Sequence, residues 1–369
     1  MYGTTGDVEE QGLASPTSSW TGRGIIIVLV ICFEWASAVL QSLMVTDVVA
    51  PTHYFHKDRV LCNDPLALTG IINGIAAGFA LMLWKGSEAF QRIGRSNSST
   101  AFEGTALTWR QLGLFMLSGI CEGFERGLAN LSLTYISMSL RTMLSSTGIF
   151  FTFAFTILFK LESVESRRVC AVVVLVVGGV VQGLGMRTGI VSLLGVCIVM
   201  ISVFAGALRW SIINLAMSLS PRGAPKMMLS DKFKIMAISK PFDCALCIFI
   251  SLAYGTYDWS PPEAELVKMW LLMGLNIFIV VFFELLIIQY TSAVANGVVL
   301  IIANIWIVLC GVRINRERAS TWQCIGFGIC IVGSIMYTTA ASRPSKTAKE
   351  EAAVLHDEKA TPKLLLNNP

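Results

Sequence analysis

The chain has 369 residues, of which 54% are hydrophobic and 14% charged, with a formal net charge of +4. Soluble domains average about 25% charged residues, so this chain has too little polar surface to cover its apolar mass in water. That excludes an ordinary soluble globule and points to an all-α integral membrane protein, and no nucleic-acid partner is expected.

The first twenty residues are polar and carry Asp7, Glu9 and Glu10, and Arg23 is the first basic residue. A secretory signal needs a basic start, and a transit peptide is rich in Arg and poor in acids. Residues 1–23 therefore read as a retained cytosolic segment. A membrane span needs roughly 20 apolar residues. Ten stretches qualify: about 24–46, 66–85, 110–131, 134–159, 167–185, 189–217, 234–254, 268–288, 290–312 and 320–340. Together they make one domain, 24–340. The third and fourth are nearly continuous, as are the eighth and ninth, which predicts tight turns between them. From 341 the chain turns polar and charged, and 341–369 reads as a disordered cytosolic tail.

Ten spans leave both termini on one side. With cytosolic termini, the inner loops hold twelve basic residues, among them Lys85, Arg167, Arg168, Lys232, Lys234 and Lys240. The outer loops hold seven, among them Lys57, Arg59, Lys268, Arg313, Arg316 and Arg318. The excess places the termini in the cytosol. Asn97-Ser98-Ser99 is a glycosylation sequon that this topology leaves unused.

The ten cysteines lie mostly in apolar runs, where Cys serves as a small hydrophobe. Zinc and redox readings are poor, and Cys62 in a predicted loop is the one to watch. His53, His56 and His356 fall in predicted loops or the tail. No metal site, cofactor motif or catalytic pattern emerges, so an enzyme is not expected.

The chain matches itself at an offset of 155: Tyr135 with Tyr290, Ser137 with Ser292, Glu162 with Glu317, and Gly178 with Gly333. The repeats run about 24–185 and 189–340. Five spans per repeat is an odd number, so the second copy is inverted relative to the first. Inverted repeats are the mark of secondary transporters, which bind substrate between the halves.

Ionisable groups in a span are costly and normally face the bundle interior or a water-filled cavity. The candidates are Glu34, Glu122, Glu125, Arg126, Arg141, Arg209 and Glu284. Arg141 stands in "TYISMSLRTMLSST". Ser137, Arg141 and Ser145 are spaced to share one helical face, beside Thr142. Such a face offers an anion a guanidinium fork with room around it. The alternative is an ion pair with Glu122, Glu125 or Glu284. Arg209, beside Trp210, either meets substrate or anchors its span. Tyr290 and Asn296 are repeat partners of Tyr135 and Arg141. Asn296 and Asn304 either bind ligand or join helices. Glu34 and Glu284 either carry a coupled proton or pair with an arginine.

"GLANLSLTYISMSLRTMLSSTGIFFTFAFTILFKLES" resembles the third-to-fourth span region of the triose-phosphate and nucleotide-sugar transporters of the drug/metabolite transporter superfamily. "GALRWSIINLAM" followed by "ISKPF" resembles the sixth and seventh spans of that group. The resemblance covers most of 24–340 and is nearest to the Golgi branch that includes GDP-fucose transporters. It implies ten spans in two inverted five-helix repeats, cytosolic termini and alternating-access antiport in a Golgi or endoplasmic reticulum membrane. It also implies a nucleotide-sugar or sugar-phosphate anion as substrate and a nucleotide as exchange partner, and it admits a homodimer. Two family lysines have Ser145 and Ala303–Asn304 in their places, and Arg141 stands one turn from Ser145. Two other functions stay open: carriage of an uncharged or cationic metabolite, and a non-transporting scaffold or regulator.

Overall fold

Long apolar runs away from water must close their backbone hydrogen bonds within the segment, and this chain does so as α-helix. A computed structural model describes residues 17–49, 64–94, 107–161, 165–184, 192–219, 229–254, 264–291, 293–313 and 320–341. Among the described residues there are eleven helices and no strand. They are α1 (Thr17–Val49), α2 (Pro65–Gly94), α3 (Trp109–Ser132), α4 (Met138–Ser145), α5 (Gly148–Leu158), α6 (Ser166–Leu184), α7 (Leu193–Ser218), α8 (Leu229–Tyr254), α9 (Ala264–Tyr290), α10 (Ala293–Arg313) and α11 (Thr321–Ala341). Cys62, His53, His56, His356, Asn97, Glu162, Ser292, Glu317 and the tail beyond 341 lie outside the described residues.

Among the described residues, five apolar stretches are long enough to cross a membrane: Pro65–Phe90, Met138–Leu158, Leu193–Ser218, Leu229–Ala253 and Leu266–Tyr290. Val173 and Val180 on α6 and Val332 and Ile335 on α11 are each more than half exposed. Outward apolar faces of this kind suit lipid better than water. The described residues are thus all-helical apart from short connections, with helices suited to a multi-pass membrane protein.

Local chemistry sets several boundaries. Asp64 accepts from the backbone N–H of Leu66 at 2.8 Å and of Ala67 at 3.1 Å, ahead of Pro65 at the first helical position. Ser251 of α8 donates to the other oxygen of Asp64 at 2.6 Å, so the cap also ties α2 to α8. Thr108 and Gln111 form a reciprocal capping box at the start of α3. The expected short connection between the third and fourth spans is present at 133–137, and α10 begins three residues after α9 ends.

The expected fourth span is not one continuous helix. It breaks between Ser145 and Gly148. The hydroxyls of Ser145, Ser146 and Thr147 donate back to the carbonyls of Arg141, Met143 and Leu144 at 2.9, 2.6 and 2.7 Å. The backbone N–H groups of Ser146 and Thr147 bond three residues back instead of four. Back-bonding hydroxyls compete for the helical carbonyls and bend the chain.

Helix starts recur at a constant spacing. Trp109 and Ala264, Met138 and Ala293, and Ser166 and Thr321 each stand 155 residues apart, as do the ends Leu158 and Arg313. Neighbours recur too: α3 packs on α8 and α9 on α2, while α2 packs on α8 and α6 on α11. Close approach of α6 and α11 relies on glycine. A Cβ at Gly178 would lie 2.8 Å from the Cys330 backbone nitrogen, and one at Gly333 would lie 3.1 Å from that of Leu175.

Candidate functional site

Helices α1, α3, α4, α5, α7, α9 and α10 enclose a cavity of about 220 Å³. The break between α4 and α5 opens onto it through Ser145, Gly148 and Ile149. Irregular backbone at membrane depth is tolerated where it lines such a space. Arg141 is on the lining, together with Asn304 and Gly297 of α10 and Asn130, Glu125 and Arg126 of α3.

Next to the cavity lies a buried ion network. Its hub is Glu122, which is 2% exposed. One oxygen of Glu122 accepts from Lys240 Nζ at 2.8 Å, Arg126 Nε at 2.9 Å and Arg209 Nη1 at 3.4 Å. Lys240 also donates to Asn73 Oδ1 at 2.8 Å and lies 3.5 Å from Asp243 Oδ2. Arg209 Nε donates to Glu125 Oε2. Glu284 Oε2 lies 3.5 Å from Arg126 Nη2 and 3.7 Å from Arg209 Nη1. Three cations and four carboxylates thus cover one another across α2, α3, α7, α8 and α9.

Arg141 stands outside this network. Among the described residues, no carboxylate lies within 4 Å of its guanidinium, and it keeps partial accessibility. The three glutamates weighed as its ion-pair partners are held by Arg126, Arg209 and Lys240 instead. A cation at a cavity wall with its donors unspent can receive an anion.

The other expected site residues are placed as follows. Ser145, Asn304 and Glu284 line the cavity. Ser137 does not share the face of Arg141: it is the N-cap of α4 and accepts from Leu140 N–H at 3.3 Å. Thr142 is buried and donates to the Met138 carbonyl at 2.8 Å, away from the lining. Arg209 is 1% exposed, and Trp210, itself a cavity wall, stacks on its guanidinium at 3.5 Å. Glu122, Glu125 and Glu284 surround it, and it is not on the lining. Tyr290 ends α9 and is 55% exposed, remote from the cavity. Asn296 is fully buried off the lining, and neither of its polar atoms has a hydrogen-bond partner among the described residues. Glu34 is fully buried one turn before Ala38, the first cavity residue of α1.

Two features escaped the sequence reading. Lys240 and Lys232, expected among the inner loop cations, sit inside α8 with 0% and 3% exposure, so the inner basic count falls to ten. Asp243, the neighbour of Lys240, is equally buried. The signal was "SKPFD" within an apolar run, where Pro241 lies inside the helix and removes one backbone donor. Cys244 and Cys247 form a C-x-x-C pair on α8. Both are free thiols, and Cys247 Sγ donates to the Gly123 carbonyl at 3.4 Å. Among the described residues no cluster of three or more His, Cys, Asp or Glu could hold a metal.

No family model matches the chain. A crystal structure described only as that of a protein is similar to it, with a TM-score of 0.54 and 14% identity over 85% of this chain and 97% of that one. Likeness at this identity shows the fold alone.

Proposed function

We propose that the chain is a secondary transporter that moves an anionic metabolite by alternating access. The observation that carries this is Arg141: a guanidinium on the wall of a central cavity, with every nearby carboxylate already taken by another cation. The recurrent spacing of 155 and the mutual packing of α2 with α8 and α6 with α11 support two inverted repeats of five spans, with α4–α5 counted as one. The cavity lies between those repeats, where such proteins bind substrate.

A nucleotide-sugar or sugar phosphate fits the chemistry, since a guanidinium fork matches phosphate oxygens. At about 220 Å³ the cavity is below the roughly 300–1,000 Å³ of most ligand sites. A nucleotide-sugar therefore requires the repeats to part, as alternating access provides. The expected membrane belongs to the secretory pathway, and both termini face the cytosol.

A second reading has one observation in its favour. Glu125 and Glu284 line the same cavity as Arg126 and Arg141, so its wall carries both signs. An uncharged or cationic solute fits that balance if Arg141 serves only to offset the carboxylates.

A thermal-shift screen of purified protein against nucleotide-sugars, sugar phosphates, nucleotides and cationic metabolites separates the two. A ligand that binds only the folded state raises stability by RT ln(1 + [L]/Kd). Stabilisation by phosphorylated ligands is expected. Stabilisation by cations alone contradicts the anion reading.

A further inference from the structure

Glu34 and Glu284 look alike in sequence, but the structure separates them. Glu284 has two arginines near it, at 3.5 and 3.7 Å. Glu34 has none among the described residues, is 0% exposed, and neither of its oxygens has a hydrogen-bond partner. A carboxylate without a cation or donor is expensive away from water, and binding a proton removes that charge.

The position of Glu34 joins it to the cavity. On α1, residues 34, 38, 41, 42 and 45 form one helical stripe, and the last four line the cavity. On α9, Glu284 shares a stripe with the cavity residues Ile277 and Val280. Phe33 and Phe283 meet at 6.1 Å, which brings the segments of Glu34 and Glu284 together, and Glu284 lies within electrostatic reach of Glu34. On α10, Val299 accepts from Trp35 Nε1 at 3.0 Å, and the unbonded Asn296 lies one turn before the cavity residue Leu300.

The charged groups around Glu34 are few. α9 offers Glu284, and its Lys268 and Glu265 stand 16 and 19 residues away, about 24 Å or more along the helix. The only charged residue of α10 is Arg313 in its last turn. On α1 itself, Arg23 and Asp47 stand 11 and 13 residues away.

We propose that Glu34 is a proton-binding site whose occupancy is linked to that of the cavity. The inference rests on the anion reading above. With all four groups ionised, the wall carries two carboxylates, Glu125 and Glu284, and two guanidiniums, Arg126 and Arg141. An arriving anion leaves an excess of negative charge. A proton taken up at Glu34, by way of the cavity and Glu284, offsets it: carboxylate plus proton gives carboxylic acid. Linkage is reciprocal, so protons tighten anion binding as the anion favours protonation.

The test is binding of a UDP-, GDP- and CMP-sugar panel to the detergent-purified full chain, from mildly acidic to mildly alkaline pH. The diphosphate and phosphodiester groups of these probes do not themselves titrate there. Affinity is expected to rise as pH falls, approaching about tenfold per pH unit if one proton accompanies each anion. Glu34→Gln is expected to bind with a flat pH profile. A flat wild-type profile for a probe that binds overturns the linkage and leaves the anion reading standing. Failure of every probe to bind overturns the nucleotide-sugar reading, and the linkage falls with it. An unchanged slope in folded Glu34→Gln overturns the assignment to Glu34. If Glu34→Gln does not fold, Glu34→Asp keeps a titratable group and is expected to move the midpoint of the profile, and an unmoved midpoint overturns the assignment.

Discussion

Cys330 Sγ donates to the Leu175 carbonyl at 3.6 Å, and the two residues stand 155 positions apart in the chain. Three residues further along each helix, Gly178 lies against Cys330 and Gly333 against Leu175. The contact between α6 and α11 is thus reciprocal at positions 155 apart, which is what the proposed repeat relation requires.

Gly178→Val and Gly333→Val are therefore expected to do similar damage. Each drives a side chain into the backbone of the opposing helix, at a cost of about 1–3 kcal/mol. Gly113 is exposed on α3 and a Cβ there meets nothing within 4 Å. Gly113→Ala is expected to be neutral or stabilising, since Ala favours helix over Gly. Thermal unfolding in detergent checks all three, and unequal damage at 178 and 333 would speak against the symmetry.

Lys240→Met is expected to be among the most destabilising single changes. It leaves Glu122 and Asp243 short of a cation in a fully buried setting, and breaking a buried pair costs about 3–5 kcal/mol. Adding Asp243→Asn removes one of the stranded charges and is expected to recover part of the loss. Fluorescence-detected size exclusion after heating measures both.

Lys160, just after α5, has φ of 57°, in the left-handed region. Leu161 N–H closes the turn on the Thr156 carbonyl at 2.8 Å. Glycine takes this conformation without the steric cost of a Cβ, which is about 1–2 kcal/mol. Lys160→Gly is expected to raise the unfolding temperature.

A tag placed after residue 369 is expected to be removed by protease added to sealed vesicles, because ten inner basic residues still exceed seven outer ones. Full protection of the tag would reverse the orientation.

Much of the helical layout was legible. Apolar runs marked the helices, and the offset of 155 was visible in Gly178 and Gly333 before their contact was. The break after Ser145 was not, because three hydroxyls in a row read equally well as a polar face or as back-bonding groups. Arg209 and Arg141 looked alike in sequence, each a lone arginine in an apolar run. Only packing shows that Arg209 is enclosed by Glu122, Glu125 and Glu284 while Arg141 is left at the cavity. Lys240 falls inside the expected span 234–254 although it counts among the loop cations, and its partners Asn73 and Glu122 are 167 and 118 residues distant, so no local signal shows its pairing.

The central claim is that Arg141 receives the charge of an anionic substrate. Exchange of a bound nucleotide-sugar in reconstituted liposomes, normalised to folded protein, tests it most directly. Hydrogen bonds to charged groups contribute about 1.5–3 kcal/mol each. Arg141→Ala is therefore expected to fold normally and to lose roughly tenfold to a few hundredfold in substrate affinity. Arg141→Lys is expected to recover only part, because an ammonium lacks the planar fork. Undiminished exchange by well-folded Arg141→Ala would contradict the account, as would an unfolded Arg141→Ala that regains exchange when Glu125 or Glu284 is also removed.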